Sequence, residues 1–450
     1  MTLNKGLLFS TIATSILAAN GSATAGGFAV PEQSAAFLGT SLAGAAAGGD
    51  ISAMFWNPAA LVTVPGTQME LSISDGMQSS NIQAQSGSTL VPPPAGLSTN
   101  SGNIFPNAVI PAFYASHQLN QNLYIGLGFN APFGSSTHPD NRNWSGFASS
   151  TSSSIATYDL NPTIAYRVTP ELAVGVGAQI QYMHADLRSA QPIPGFPLFL
   201  PFANSPDVTV NGLQHWAAGF TAGVHWQPTR TTQLGFGYRS GINESLNGEF
   251  TFGSTNPALT GAILTNVPIH LPAIATASIR QELTPTLAVL GTAQWTQWSN
   301  LQSLNVSCQS NSSIPVKPCS PGQTLEILPF NWHDGWFFSA GAEYKLSPAV
   351  LLRAGAAYEK SPVQSPDENL VNILDSDRIW LSTGLQYKFN ARMTADLSYA
   401  HVFFKDSSVS ETAAGPITIV GTTQRSADII AASLKLRFDT PPAPPPKIVK

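Results

Sequence analysis

Between residues 172 and 182 an apolar side chain falls on every second position: Leu172, Val174, Val176, Ala178, Ile180 and Tyr182. The positions between carry Ala173, Gly175, Gly177, Gln179 and Gln181. The same period governs 336–346, where Trp336, Phe338, Ala340, Ala342, Tyr344 and Leu346 oppose Phe337, Ser339, Gly341, Glu343 and Lys345, and it returns at 379–389. Side chains on an extended strand point alternately to its two faces, so each segment presents one apolar and one polar side. A helical membrane span needs about 18 or more consecutive apolar residues, and no window after residue 25 supplies them. The chain is thereby steered toward strands with unlike faces.

Fourteen such segments are legible: 67–77, 107–119, 122–133, 155–168, 172–187, 211–226, 232–250, 269–283, 286–306, 332–346, 350–359, 378–389, 392–410 and 426–438. The connections after even-numbered segments are short (LNQN, TPE, PTRT, TPT, SPA, NAR), while those after odd-numbered ones are long, as at 78–106, 134–154 and 188–210. An up-and-down barrel with both ends on one side of a membrane has this alternation. An even strand number lets the sheet close, which lipid demands because each unpaired N–H or C=O costs several kcal/mol there. Only 10% of the 450 residues are charged and 43% are hydrophobic, against about 25% charged in soluble domains. Small polar residues have replaced charge, as suits one face in lipid and one in water. Tyr166, Trp226, Tyr344, Tyr387, Phe389 and Phe438 sit at segment ends, where an interfacial girdle belongs. A soluble β-sandwich also alternates, but the low charge and the loop pattern speak against it. The expected fold is therefore all-β: a transmembrane 14-stranded antiparallel up-and-down β-barrel.

Residues 1–25 read as a signal peptide, with Lys5 as the positive start, a short apolar stretch at 6–19 and Ala23-Thr24-Ala25 as the cleavage pattern. Export implies oxidising surroundings, so Cys308 and Cys319, in one Ser/Asn/Pro-rich stretch, are a candidate disulfide. Enzyme readings are poor. No G-x-S-x-G, P-loop or dinucleotide fingerprint is present, and no His pair has metal-ligand spacing. No cofactor or metal is expected, and with 20 Lys+Arg against 25 Asp+Glu no nucleic-acid partner either.

Residues 26–66 form a different unit, rich in Ala and Gly and without a two-residue period. Tethered at the barrel's entry, such a segment is expected to fold back as a hatch with short helices, since a barrel of this size is otherwise an open channel. Here the sequence resembles the long-chain fatty acid outer-membrane transporters, the FadL-like family that includes aromatic-hydrocarbon uptake proteins. Gly27, Phe28, Glu32 and Ser34 match that family's opening pattern, and Asn57, Pro58 and Ala59 match its hatch motif. The likeness continues at 271–299, 331–363 and 375–406. It implies passive uptake of a hydrophobic molecule. Extracellular loops would capture the ligand, a site beside the hatch would hold it, and a gap at a kinked third strand would release it sideways.

Within that frame, Gly128, Asn130, Pro132 and Gly134 mark the candidate opening. Pro132 has no amide hydrogen and forces a bulge or lost pairing, although it also fits the strand's upper end. Phe196, Leu198, Phe199, Leu200 and Phe202 in one loop, and Leu259, Ile263 and Leu264 in another, are candidate ligand-binding residues, since apolar side chains in solvent-facing loops suggest a binding surface. Mutual packing of the two loops is the plainer reading, and both can hold. Arg188, at the top of the fifth segment, is the nearest cation for a carboxylate head group, or simply a rim charge. Phe28, third in the processed chain, is expected at the inner ligand site, and Asn57 is expected to cap a turn fixed by Pro58. The Pro-rich tail 439–450 is expected to hang in the periplasm. Expected partners are the hydrophobic substrate, outer-membrane lipid and, during biogenesis, the barrel-assembly machinery; the chain is expected to be a monomer. Neutral aromatic hydrocarbons are the alternative cargo, and a general porin for hydrophilic solutes is the main rival.

Overall fold

The computed structural model describes residues 26–93, 96–190, 207–253, 260–312, 314, 318–413 and 417–439. The signal-peptide reading, Phe196, Leu198, Phe199, Leu200, Phe202, Leu259 and the tail beyond Asp439 lie outside the described residues. The strand segments begin with β1 (Thr67–Ala84), β2 (Ala108–Gln118), β3 (Leu123–Asn130), β4 (Gly134–Thr137), β5 (Ser152–Arg167), β6 (Leu172–Ala190) and β7 (Asp207–Thr229). They continue with β8 (Thr232–Arg239), β9 (Ile242–Gly253), β10 (Gly261–Leu271), β11 (Ile274–Glu282), β12 (Leu287–Thr296), β13 (Ser303–Cys308) and β14 (Thr324–Pro329). The last are β15 (Gly335–Lys345), β16 (Val350–Lys360), β17 (Arg378–Lys388), β18 (Met393–Phe404), β19 (Ser407–Thr412) and β20 (Thr418–Arg437).

Six of these segments continue a preceding one after an interruption (β3–β4, β8–β9, β10–β11, β12–β13, β14–β15 and β18–β19), which leaves fourteen antiparallel barrel strands. β1 pairs with β2 on one side and with β20 on the other, so the sheet closes. The outward face is apolar, with Leu71, Ile73, Val176, Phe220, Leu381 and Ile430 all exposed, while Ser72, Asn161, Gln179, Thr221 and Ser398 face in and are buried. Strands with unlike faces have put grease toward lipid and polar groups toward the bore.

The bore is filled by residues 26–66. Three capped turns organise this hatch. Ser34 accepts from the Phe37 amide ahead of the helical turn Ala35–Leu38, and Asp50 caps the 3-10 turn Ile51–Phe55. Asn57 caps Pro58–Thr63, with Pro58 at the first position, where its missing N–H costs nothing. Glycines in the wall let the hatch backbone approach. A Cβ at Gly235 would collide with the Ala46 carbonyl, and one at Gly237 with that of Trp56.

One sequence reading needs correction. The stretch 256–268 was expected to be loop throughout, yet β10 begins at Gly261 and runs to Leu271. Ile263, Thr265, Val267, Ile269 and Leu271 form its buried face. The sheet extends past the apolar band, so the strand carries on where membrane patterning has faded. Ile263 is fully buried inside the mouth, whereas Leu264 points the other way and is exposed. They are not two contacts of one loop surface.

Candidate functional site

A cavity of about 520 Å³ opens among the long connections, lined by Arg188, Leu328, Leu370, Asn372, Glu326, Asp367 and Glu411 among others. Arg188 is exposed there, as a rim residue. Leu187, Leu328, Leu370 and Asn372 also line a second, narrower slot below it, of about 30 Å³. Thirteen of that slot's fourteen lining residues are apolar, Leu246, Ile269, Phe330 and Ile373 among them. A cavity this small holds little more than a water or two, so a ligand must spread its walls.

From the slot a chain of rings leads toward the hatch tip. Phe330 meets Trp332 at 4.9 Å between centroids, Trp332 meets Trp298 at 5.2 Å, Trp298 meets Phe28 at 4.8 Å, and Phe28 meets Phe133 at 6.0 Å. Offset and edge-on pairs at these spacings are favourable, and all five rings belong to one buried apolar cluster. Sequence reasoning singled out Phe28 but assigned nothing to Trp298, Trp332 or Asn372. Trp298 sits in the 3-10 turn Trp298–Asn300 that interrupts the ninth barrel strand, and such an interruption leaves no mark on the two-residue period.

The ring chain ends at a fault in the wall. β2 pairs with β3 only from Phe113↔Phe129 to Gln118↔Tyr124, and β4 is paired along its length with β5 alone. Between β3 and β4 lie Ala131, Pro132 and Phe133. Here the hatch tip substitutes for a strand: Val30 N donates to the Pro132 carbonyl (2.8 Å) and Gly134 N donates to the Phe28 carbonyl (2.8 Å), around an Ala29↔Phe133 bridge. Gly128 and Asn130 lie on β3 below the fault, and Gly134 starts β4 above it. Asn130 is buried and donates to the Tyr114 hydroxyl (2.7 Å).

The tip is held from the other side by carboxylates. Gly26 N donates to Glu359 Oε1 (2.6 Å) and Gly27 N to Asp375 Oδ2 (2.9 Å), and Asp375 is paired with the buried Arg378. Gly27 has φ +64°, and a Cβ on it would press on Trp298 and Trp332, so only glycine fits under the rings. Deeper in the bore, polar side chains moor the hatch. Asn57 Nδ2 donates to the carbonyls of Ala46 (2.8 Å) and Val224 (3.0 Å), and its Oδ1 accepts from Ala59 N (3.0 Å). Arg239 pairs with Asp159 (2.5 Å) and donates to the Phe55 carbonyl (3.2 Å). Lys435 pairs with hatch Asp50 and with wall Asp396 (2.7 Å), and Arg353 also pairs with Asp396 (2.5 Å). Cys308 and Cys319 are joined as a disulfide. Among the described residues no group of three or more His, Cys, Asp or Glu is placed to hold a metal ion.

Glu32 in the hatch is fully buried, and burial raises its carboxyl to about 8; nearby Glu359 adds to this and Arg378 opposes it. The folded value lies above the 4.5 of an ordinary glutamate. Its contribution to stability is therefore complete below that ordinary value and is lost as pH rises toward 8, at about 1.4 kcal/mol per pH unit. Glu32→Gln should leave the urea-unfolding midpoint unchanged near pH 4 and raise it above the parent's increasingly between about pH 5 and 8. A constant difference at every pH would contradict this assignment.

A closed, lipid-facing barrel with a moored hatch and an apolar path from mouth to wall defines a plugged transport barrel, suited to hydrophobic rather than hydrophilic cargo. The family model described as outer membrane protein transport protein (OMPP1/FadL/TodX) matches residues 16–438, and the chain belongs to that family. It is an outer-membrane transport protein and not an enzyme. The outer membrane protein P1 of Haemophilus influenzae is 26% identical over 424 residues, covering 87% of this chain and 89% of that protein. A long-chain fatty acid transport protein of Escherichia coli O6:H1 is 27% identical over 337 residues, covering 68% and 72% respectively. Among solved structures, a Pseudomonas aeruginosa FadL homologue superposes with a TM-score of 0.80 at 22% identity, covering 92% of this chain and all of that one. The P. putida toluene transporter TodX superposes with a TM-score of 0.65 at 16% identity, covering 87% and 95%.

Proposed function

We propose that this chain takes up hydrophobic molecules passively across the outer membrane, with long-chain fatty acids as first cargo and aromatic hydrocarbons as second. The ligand enters the 520 Å³ vestibule, spreads the apolar slot, rests against Phe28 and leaves sideways into the bilayer at the β3–β4 fault. The observation that carries this reading is the unbroken line of rings from Phe330 to Phe133, which links the mouth to the place where wall pairing lapses. Burial of apolar surface at about 25 cal/mol per Å² supplies the downhill drive, so no energy source is required. Processing after Ala25, insertion by the barrel-assembly machinery and a monomeric barrel belong to the same proposal.

Labelled oleate uptake in a strain lacking its own transporter tests the reading. Cells making this protein should accumulate oleate faster than cells without it, and toluene uptake should rise to a lesser degree. Equal oleate uptake would remove the fatty-acid assignment. A large, steady ohmic conductance in planar bilayers would favour the porin instead, which the filled bore argues against.

A further inference from the structure

We infer that the slot selects an uncharged ligand that carries a hydrogen-bond donor, a long-chain alcohol being the simplest case, and that Asn372 recognises the donor. The inference rests on the uptake reading above and admits a fatty acid there only in its protonated form. Among the described residues Asn372 is the only polar one lining the slot, and it also lines the vestibule above. It is more than nine-tenths buried. Its Nδ2 donates to the Ser149 carbonyl (3.4 Å), which sets the orientation of the amide, and its Oδ1 is buried and accepts no hydrogen bond among the described residues. A buried acceptor left unmet is destabilising, and the apolar walls around this one offer it no donor. A ligand hydroxyl arriving at the slot's upper end meets that acceptor while its hydrocarbon tail follows the rings toward Phe28.

Charge points the same way. Among the described residues the vestibule lining has three carboxylates, Glu326, Asp367 and Glu411, against the single guanidinium of Arg188. Glu411 accepts from the Val371 amide (2.7 Å). At the hatch tip Arg378 is engaged by Asp375 and Glu359. An ionised carboxylate entering the slot would meet the lone pairs of Asn372 Oδ1 rather than a donor, whereas an alcohol, a phenol or a protonated acid supplies the missing hydrogen.

Three probes of equal chain length decide the matter: tritiated 1-hexadecanol, hexadecane and palmitate, each offered to the detergent-solubilised, folded protein at about pH 9, where the acid is ionised. Hexadecanol should be retained roughly 3- to 10-fold better than hexadecane, the worth of one hydrogen bond, and palmitate less well than hexadecanol. Asn372→Leu, of similar volume, should abolish the alcohol's advantage over hexadecane, and an unchanged heat-sensitive gel mobility reports that the variant barrel is folded. Equal retention of alcohol and hydrocarbon by the parent protein, or an alcohol preference that survives in Asn372→Leu, overturns the inference and leaves the uptake reading standing. Palmitate bound tightest, and released by Arg188→Gln, likewise overturns it by placing an anionic head group at the rim. Retention of none of the three overturns both this inference and the uptake reading.

Discussion

Tying Ala29 to Phe133 through a pair of introduced cysteines is expected to stop uptake and to leave the barrel folded. The two residues face each other across a bridge, flanked by Val30 N to Pro132 O and Gly134 N to Phe28 O. They are thus a non-hydrogen-bonded pair, with Cα atoms about 4.5 Å apart, within the reach of a disulfide. The bond would fix the hatch tip across the fault. If ligand leaves by parting tip from wall, oxidised cells carrying Ala29→Cys and Phe133→Cys should take up oleate no faster than cells lacking the protein. Dithiothreitol should restore the rate. The parent chain under the same reductant supplies the baseline, because its Cys308–Cys319 bond opens too. The reduced double variant controls for loss of the Phe133 ring. Full cross-linking with undiminished uptake would mean that release does not use this opening.

The second large effect is expected at Lys435. Its ammonium joins Asp50 of the hatch to Asp396 of the wall, and both carboxylates are buried. Lys435→Met removes the shared cation and leaves like charges facing each other. Breaking a buried pair in this way costs about 3–5 kcal/mol. The wall itself should survive, since β20 remains paired with β1, β18 and β19. The loss therefore falls on the hatch's seat: the urea midpoint should drop, and planar bilayers should record conductance bursts absent from the parent. Adding Asp50→Asn, which removes the carboxylate left without a cation while Asp396 keeps Arg353, should recover most of the midpoint, because an uncharged buried group needs no counter-ion. A Lys435→Met protein as stable and as silent as the parent would show that the hatch is held by packing alone.

The moorings explain why a segment so rich in small side chains stays in place. About half of residues 26–66 are Ala, Gly or Ser, and wall glycines admit their backbone. Close approach maximises dispersion contacts but gives little selectivity of position. Asn57, Arg239 and Lys435 supply that selectivity through directional bonds, the first two at the adjacent β7 and β8 and the third at β20. The tip above Glu32 is instead held by backbone pairing to a short stretch of β4 and its approach and by two carboxylates. Such a contact can open without disturbing the deeper anchors.

The strands, their number and the two faces of each were readable from residue order, as 172–182 illustrates. A strand's side-chain period is local, and lipid on one side with water on the other writes that period into every crossing. The hatch was readable for the converse reason, that 26–66 lacks the period and is built of small residues. The pairing of Phe28 with the fault at Pro132 was decided by the tertiary structure. So was the meeting of Trp298, Trp332, Phe330 and Asn372 from three separate connections, and the inward turn of Ile263 with the outward turn of Leu264. Those placements depend on how far the sheet continues beyond the membrane and on which loop folds back into the bore. Neighbours along the chain carry no record of either, because the contacts that fix them join residues tens to hundreds of positions apart.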